Sequence, residues 1–311
     1  MSRFLSWFAT ESGKRFTYTC VGIGGISIFG SQVAFNGPLK DRFKKIVQVY
    51  DDDKEKPLSS QVQELTRIVV NDSNLSDAEK AKIGFFNVVG DDLFHIGGSN
   101  SPWGAMIGLP FYYEDSKSIN YRQLKLGGRE TIDWVIDGQD LLTALNLSNK
   151  AKKFGIMREL YSCDVYHILD NASIATGCFL IPAELSRRIN VWRNAFQTSN
   201  LKVRAFFYLA CYLLGFTMYR CLRDPMRHLS QKQWDQKAAS TNREYLEGGI
   251  EFYEKTLLKN KALRELLGER GQRQFTRDGN ENYFLFAPKL PTKKRLELLK
   301  QLREDVSLVS V

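Results

Sequence analysis

Histidine and cysteine are scarce in this chain. Its 311 residues hold three histidines, His95, His167 and His228, and five cysteines, Cys20, Cys163, Cys178, Cys211 and Cys221. No two cysteines form a CxxC pair, which removes zinc ribbons and thioredoxin-like redox motifs from consideration. The count is odd and four of the five lie in or beside apolar segments, so buried reduced thiols fit better than a disulfide framework. Calcium-loop chemistry is also missing. Asp51-Asp52-Asp53 lacks the EF-hand spacing and its glycine, and reads as a solvated linker. Gly84, Gly90, Gly97, Gly98 and Gly104 make no phosphate-binding fingerprint, because no helix follows them at the required spacing. Basic patches with interleaved aromatics are absent, so no nucleic-acid groove is expected. The net charge of +9 then reads mainly as scattered solvated Lys and Arg, and also suits an anionic membrane face or mitochondrial import.

Charge is absent altogether from Phe16 to Leu39. About 20 such residues cross a bilayer. Gly22, Gly25 and Gly30 weaken a helix in water but are tolerated in membrane helices, where small residues allow close approach. The expectation is a transmembrane helix over 16–36. It is preceded by a basic segment, 1–15, in which Arg3, Lys14 and Arg15 outnumber Glu11. Arg, Ser and aromatics with few acids resemble a mitochondrial address, with a secretory signal peptide as the rival reading. A second apolar zone has two halves. Asn171 to Ala183 is uncharged but only 13 residues long with Pro182 inside it, and Ala205 to Tyr219 is bounded by Arg204 and Arg220. Flanking arginines can snorkel and lengthen such spans. The rival is a buried hairpin in a soluble domain. Arg187, Arg188, Arg193, Lys202 and Arg204 in the connector predict that it faces the cytosol-equivalent side, the matrix in a mitochondrion, by the positive-inside rule.

The remainder reads as a polar α+β domain in two pieces, 40–165 and 222–311, separated by the apolar hairpin 166–221. Ser60 and Gln63 have capping-box spacing and open a helix with Val62, Leu65 and Val69 on one face. Ser76-Asp77-Ala78-Glu79 opens another. Gly-rich turns alternating with short apolar runs over 83–145 predict a small β-region. Ser148 caps a helix expected to run through Ile168, with Phe154, Met157, Tyr161 and Val165 on one face. A second long helix is expected over Gln231 to Leu258, with Leu246, Ile250, Tyr253 and Leu257 on one face and a Glu251–Lys255 pair. Asn260 is expected to cap a short helix that stops at Gly268.

Several stretches carry a family likeness. They are Gly104-Ala105-Met106-Ile107-Gly108-Leu109-Pro110, Ile132-Asp133-Trp134, Leu145-Asn146-Leu147-Ser148 followed by Ala151-Lys152-Lys153-Phe154, Arg158-Glu159, and above all 248–280. In combination the chain resembles the transmembrane protein 177 family of mitochondrial inner-membrane proteins. The resemblance implies a multi-pass inner-membrane protein without catalytic residues or cofactors. It implies a part in early cytochrome c oxidase assembly, stabilising newly made subunit II together with its Cox-twenty-type membrane chaperone. Sco-type copper-delivery proteins would join indirectly, membrane lipid would surround the spans, and nucleic acid has no part.

One local pattern points elsewhere. Arg158-Glu159-Leu160-Tyr161-Ser162 has the length and helical setting of the zincin motif His-Glu-x-x-His, in which two His hold zinc and the Glu polarises water. Arg158 and Ser162 stand at the ligand positions, and a guanidinium cannot ligate zinc. Arg243-Glu244-Tyr245-Leu246-Glu247-Gly248 resembles the third-ligand helix of membrane metallopeptidases, which also carry an apolar hairpin between the two helices. The expected fold is therefore α+β and mostly helical, with a degenerate zincin-like domain on transmembrane helices as one form of it. Arg158, Glu159, Ser162 and Glu244 would be the degenerate positions, with Arg158 paired to a carboxylate such as Glu244. The alternative function is a metallopeptidase-like protein of inner-membrane quality control. Glu159, Cys163 and His167 at i, i+4, i+8 form a weaker metal face, and a partly buried structural His167 fits better. Asp133 and Asp137 have no evident partner for acid–base work. The sequons at Asn71, Asn146 and Asn171 matter only in a secretory protein.

Overall fold

The computed structural model describes residues 7–8, 10–51, 54–114, 138–193 and 201–309. Gly127-Gly128, Ile132-Asp133-Trp134, Asp137 and the basic Arg3 lie outside them. Along the chain come helix α1 (Glu11–Phe35), α2 (Lys40–Val47), a two-strand ribbon β1 (Tyr50–Asp51) and β2 (Lys54–Glu55), α3 (Ser60–Asp72) and α4 (Asp77–Lys80). Strands β3 (Ile83–Asn87), β4 (Phe94–Gly97) and β5 (Ala105–Leu109) follow, then α5 (Gln139–Leu145), α6 (Asn149–Ser162) and α7 (Val165–Trp192). The chain continues with α8 (Leu201–Ala239), α9 (Arg243–Leu266), α10 (Glu269–Gln274) and α11 (Thr292–Val309). It divides into two compact units, Met1–Pro38 with Val165–Met226, and Leu39–Asp164 with Arg227–Val311.

The first unit is helical. Glu11–Phe35, Val165–Trp192 and Val203–Ala239 are long and apolar enough to cross a membrane. Their apolar side chains point outward: Ile26 is 75% exposed and Phe206 73%. An aqueous protein would bury such a surface, because each large apolar side chain left in water forgoes about 1.5–3 kcal/mol. The helices meet through small residues. A Cβ on Gly25 would stand 2.9 Å from Leu180 Cδ2, and one on Gly215 would stand 2.6 Å from the Cys178 carbonyl oxygen. Polar bonds add to this contact: Arg223 Nε donates to Asn171 Oδ1 at 2.5 Å, and Asn171 Nδ2 donates to Gln32. α1 begins five residues before the expected span, with Thr10 as its cap. The stretch 171–183 is part of one 28-residue helix, and Pro182 sits inside it without ending it. A proline removes one backbone donor, a loss that a long membrane helix tolerates when its neighbours pack.

The second unit is α+β. β5 is the centre of a three-stranded sheet, parallel to β3 (Ile83↔Ala105) and antiparallel to β4 (Phe94↔Gly108). Ala105, Ile107 and Leu109 are fully buried against α6. α6 is buried nearly all round from Phe154 to Ser162: Phe154, Ile156, Met157 and Leu160 pack together, so this is the central helix of the core. α9 lies along it with Tyr245, Leu246, Ile250 and Tyr253 buried, and α11 closes that side with Leu299. The helices come unusually close at Gly248-Gly249. A Cβ on Gly248 would stand 2.2 Å from the Lys150 carbonyl oxygen, and one on Gly249 would stand 2.7 Å from Leu299 Cδ1.

Several expected boundaries move. Ser59, not Ser60, caps α3, accepting from the Val62 amide, while Val62, Leu65 and Val69 are buried as expected. The Ser76–Glu79 capping box and the Ser148 cap form as expected. α6 stops at Ser162 instead of running to Ile168. Ser162 Oγ donates back to the Glu159 carbonyl, and the Ser99 amide and hydroxyl both donate to the Cys163 carbonyl, so a local and a tertiary contact end the helix. The Glu159–Cys163–His167 face is broken by that stop. The second long helix does not begin at Gln231: α8 ends at Ala239, and Asn242 caps α9 by accepting from the Tyr245 amide. Asn260 is interior to α9 and donates to the Gly279 carbonyl at 2.8 Å instead of capping a helix. Glu251 and Lys255 do not pair. Glu251 accepts from Ser148, and Lys255 donates to the Thr143 carbonyl. Cys163, Cys178 and Cys211 are buried free thiols, and Cys20 and Cys221 are exposed free thiols.

Candidate functional site

The α+β unit encloses a cavity of about 460 Å³. Its walls come from the β4 strand and the loop before it (Asp92, His95), from α6 (Arg158, Glu159, Ser162), from α9 and from the start of α11. Glu159 is a buried acid among the apolar side chains of the second half of α6. Its side chain is only 9% exposed, and Oε1 stands 2.6 Å from His95 Nδ1. Oε2 accepts from Arg158 Nη2 at 2.7 Å. Burial works to raise the Glu159 pKa, but the adjacent Arg158 guanidinium and the His95 contact outweigh it and hold the carboxylate at about 2. An ionised carboxylate only accepts, so His95 Nδ1 carries the hydrogen in this pair.

Ser162 Oγ is 3.1 Å from the same His95 nitrogen and donates to the Glu159 carbonyl at 2.6 Å. A serine–histidine–acid relay uses the two imidazole nitrogens separately, one for the nucleophile and one for the acid. Here both contacts fall on Nδ1 and the hydroxyl proton is turned to the backbone. The cluster holds a buried ion pair and does not activate a nucleophile.

Two more ion pairs stand around the cavity, one buried and one joining a buried lysine to two exposed acids. Arg295 Nε and Nη2 donate to Asp235 Oδ2 and Oδ1, both at 2.6 Å, and Tyr253 OH donates to Asp235 Oδ1 at 2.6 Å. Arg295 Cζ also lies 4.8 Å from the Tyr253 ring centroid. Lys259 Nζ donates to Asp91 Oδ2 at 3.2 Å, to Asp92 Oδ1 at 3.1 Å and to the Asp91 carbonyl at 3.0 Å. The Lys259 ammonium holds the Asp92 carboxyl down at about 2. Burial pushes the Tyr112 hydroxyl up to about 12.

Of the four degenerate zincin-like positions, Arg158, Glu159 and Ser162 line the cavity. Glu244 does not join them. It is 46% exposed on its side chain and pairs with Lys153 Nζ at 2.9 Å, while Arg158 takes Glu159 instead. The helices α6 and α9 do pack, but the Arg158–Glu244 pair is not made. Among the described residues no group of three or more His, Cys, Asp or Glu is placed to hold a metal ion. His95, Asp92, Lys259, Asp235 and Arg295 were not anticipated. The available signal was position: Lys259 stands seven residues after Phe252 on the buried face of α9, and Arg295 four before Leu299.

Comparison with known proteins matches residues 9–309 to the family described as Transmembrane protein 177. The chain belongs to that family. A relative from Homo sapiens is 30% identical over 84% of this chain and 82% of its own length. One from Danio rerio is 29% identical over 90% of each, and one from Xenopus laevis is 27% identical over 96% of this chain and 98% of its own. All three are named Transmembrane protein 177. No solved structure matches. The 248–280 stretch, within the matched range, has a structural part in this member. Gly248-Gly249 sets the α6–α9 approach, Phe252, Tyr253 and Lys259 face the cavity, and Asn260 ties the 275–280 turn to α9.

Proposed function

We propose that this transmembrane protein 177 family member is a non-enzymatic scaffold of the mitochondrial inner membrane. It would stabilise newly made cytochrome c oxidase subunit II with its Cox-twenty-type chaperone, and Sco-type copper-delivery proteins would join that assembly. The observation that carries the reading is a family match over nearly the whole chain on a molecule with three uncovered apolar helices. A three-span arrangement also accounts for the interrupted sequence. If α7 and α8 both cross the bilayer, Leu39–Asp164 and Arg227–Val311, which fold as one unit, would lie on the same side of the membrane. With the basic connector in the matrix, that side is the intermembrane space. Family likeness supplies the partner identities, and the partners would dock on the polar unit.

The alternative, a metallopeptidase-like activity in quality control, has less behind it. Arg158 is a permanent cation at a ligand position, Ser162 spends its proton on the backbone, and Glu244 is engaged with Lys153. The test is affinity purification of the tagged full chain from mitochondria, with protease protection in mitoplasts. Recovery of subunit II and its chaperone, with the polar unit cleaved only after the outer membrane is opened, is expected. Their absence from the purified material would overturn the assembly role.

A further inference from the structure

The cavity has more cations than acids. Arg158, Arg227, Lys255, Lys259, Lys289 and Arg295 line it, against the carboxylates of Asp92, Glu159 and Glu281. Asp235 and Asp91 pair with Arg295 and Lys259 without lining the cavity, and even when they are counted the cations remain in excess. The excess sits in a concave, partly enclosed space where the field of each charge is screened less than in bulk water.

Arg158 is the centre of the argument. Its side chain is 16% exposed. A guanidinium has five N–H donors. One of them serves Glu159, and the rest donate to no protein atom among the described residues. The guanidinium is positioned by its contact with Phe252, whose ring centroid is 5.4 Å from Cζ. Arg295 likewise commits Nε and Nη2 to Asp235, leaving Nη1. A guanidinium this deeply placed with unspent donors is the arrangement that reads carboxylate or phosphate oxygens in a forked geometry. Around the cations, Trp234, Phe252, Tyr283 and Leu290 supply apolar wall, and Asn280 and Asn282 supply amides. A volume of about 460 Å³ is in the range of small-molecule sites.

We propose that this cavity binds a small oxyanion, a phosphate monoester or carboxylate carrying a compact apolar group, with Arg158 as its principal anchor. The proposal is independent of the assembly reading, since it concerns a ligand and no protein partner. The oxyanion would accept from the unspent Arg158 donors, and Lys255 at the rim would draw it in. Such an anion could be soluble or could be the headgroup of a lipid. The shared chemistry is a phosphate oxygen on a guanidinium.

The experiment uses the full-length protein in nanodiscs. In neutral phosphatidylcholine discs, phenyl phosphate and inorganic phosphate are titrated by calorimetry and by thermal shift at constant ionic strength, with chloride as the control. In a second arm the discs contain phosphatidic acid and no phosphate is added. Saturable binding of phenyl phosphate, tighter than inorganic phosphate and weakened tenfold or more in Arg158→Gln, is the expected result. A thermal shift in phosphatidic acid discs that Arg158→Gln abolishes would support the same site with a lipid source. Arg158→Lys, which keeps the charge and loses the fork, should retain part of the affinity. Lys255→Gln should weaken binding and, since it gives up only one exposed bond to the Thr143 carbonyl, should still fold, so it serves if Arg158→Gln does not. Absence of saturable binding in both arms, or binding equal in wild type, Arg158→Gln and Lys255→Gln, would overturn the proposal.

Discussion

Removing the Glu159 carboxylate should destabilise the α+β unit more than any exposed charge substitution, and two routes give the size of the effect. Glu159→Gln leaves the Arg158 guanidinium buried without its counter-ion. Breaking a buried pair from one side costs about 3–5 kcal/mol. The second route is linkage. The Glu159 pKa falls from the ordinary 4.5 to about 2 in the folded protein. At about 1.4 kcal/mol per unit, the ionised carboxylate contributes about 3 kcal/mol. The sign follows from the direction. A depressed carboxyl pKa stabilises above the unfolded value of about 4.5, and that contribution is lost as pH falls toward 2. In a unit of this size each kcal/mol moves Tm by about 2–4 °C, so Glu159→Gln should lower Tm by about 6–20 °C at pH 7. The variant should also lose less stability than wild type between pH 4.5 and pH 2. Replacing both partners, Arg158→Met with Glu159→Leu, removes the orphaned charge and should recover most of the loss. The assay is thermal unfolding of the full chain in detergent, followed by near-UV circular dichroism. A Glu159→Gln shift under about 2 °C, or a double variant as poor as the single one, would refute the reasoning.

Asp235→Asn should behave like Glu159→Gln, costing about 3–5 kcal/mol by orphaning Arg295, whereas Glu244→Gln should cost under about 1 kcal/mol because its pair with Lys153 is exposed. Chemical denaturation of the three chains side by side distinguishes these outcomes. Gly248→Ala should lower stability by about 1–3 kcal/mol by driving a methyl into the Lys150 carbonyl, while Gly177→Ala, with nothing within 4 Å of its Cβ, should be neutral or better. Thermal melts of both variants decide it. Phe284 is 98% exposed and Leu285 77%, an apolar tip on the polar unit. Phe284→Ser with Leu285→Ser should reduce recovery of subunit II or its chaperone severalfold in affinity purification while leaving Tm unchanged, and an unchanged recovery would remove this tip from the docking surface.

The legible part of the fold was the part set by local chemistry. The uncharged run at 16–39 and the apolar half at 205–219 announce long apolar helices, because hydropathy is a property of composition. Ser76 with Glu79 and Ser148 announce helix starts, because a side-chain oxygen three residues before a free amide is a local event. The misplaced elements share a different cause. The stop of α6 at Ser162 depends on Ser99 bonding the Cys163 carbonyl, a contact 64 residues away in sequence. Glu251 leaves its helical neighbour Lys255 for Ser148, whose cap it completes across 103 residues. Spacing rules weigh neighbours in sequence and are silent on both.

The cavity shows the same division. Arg158, Glu159 and Ser162 drew attention through a four-residue spacing that mimics a metal motif, and they do stand together at the cavity wall. Their distant partner was invisible, since His95 comes from a strand and nothing local marks it as facing α6. The sequence by itself determined that this chain carries apolar helices fit for a bilayer, a polar α+β unit split by a hairpin, and its family. Tertiary structure alone decided that Arg158 pairs with Glu159 and not Glu244, and that cations outnumber the acids lining one cavity. Hydropathy and capping are written in neighbouring residues, whereas the partner of a buried charge is fixed by which strand and helix the folded core brings within 3 Å.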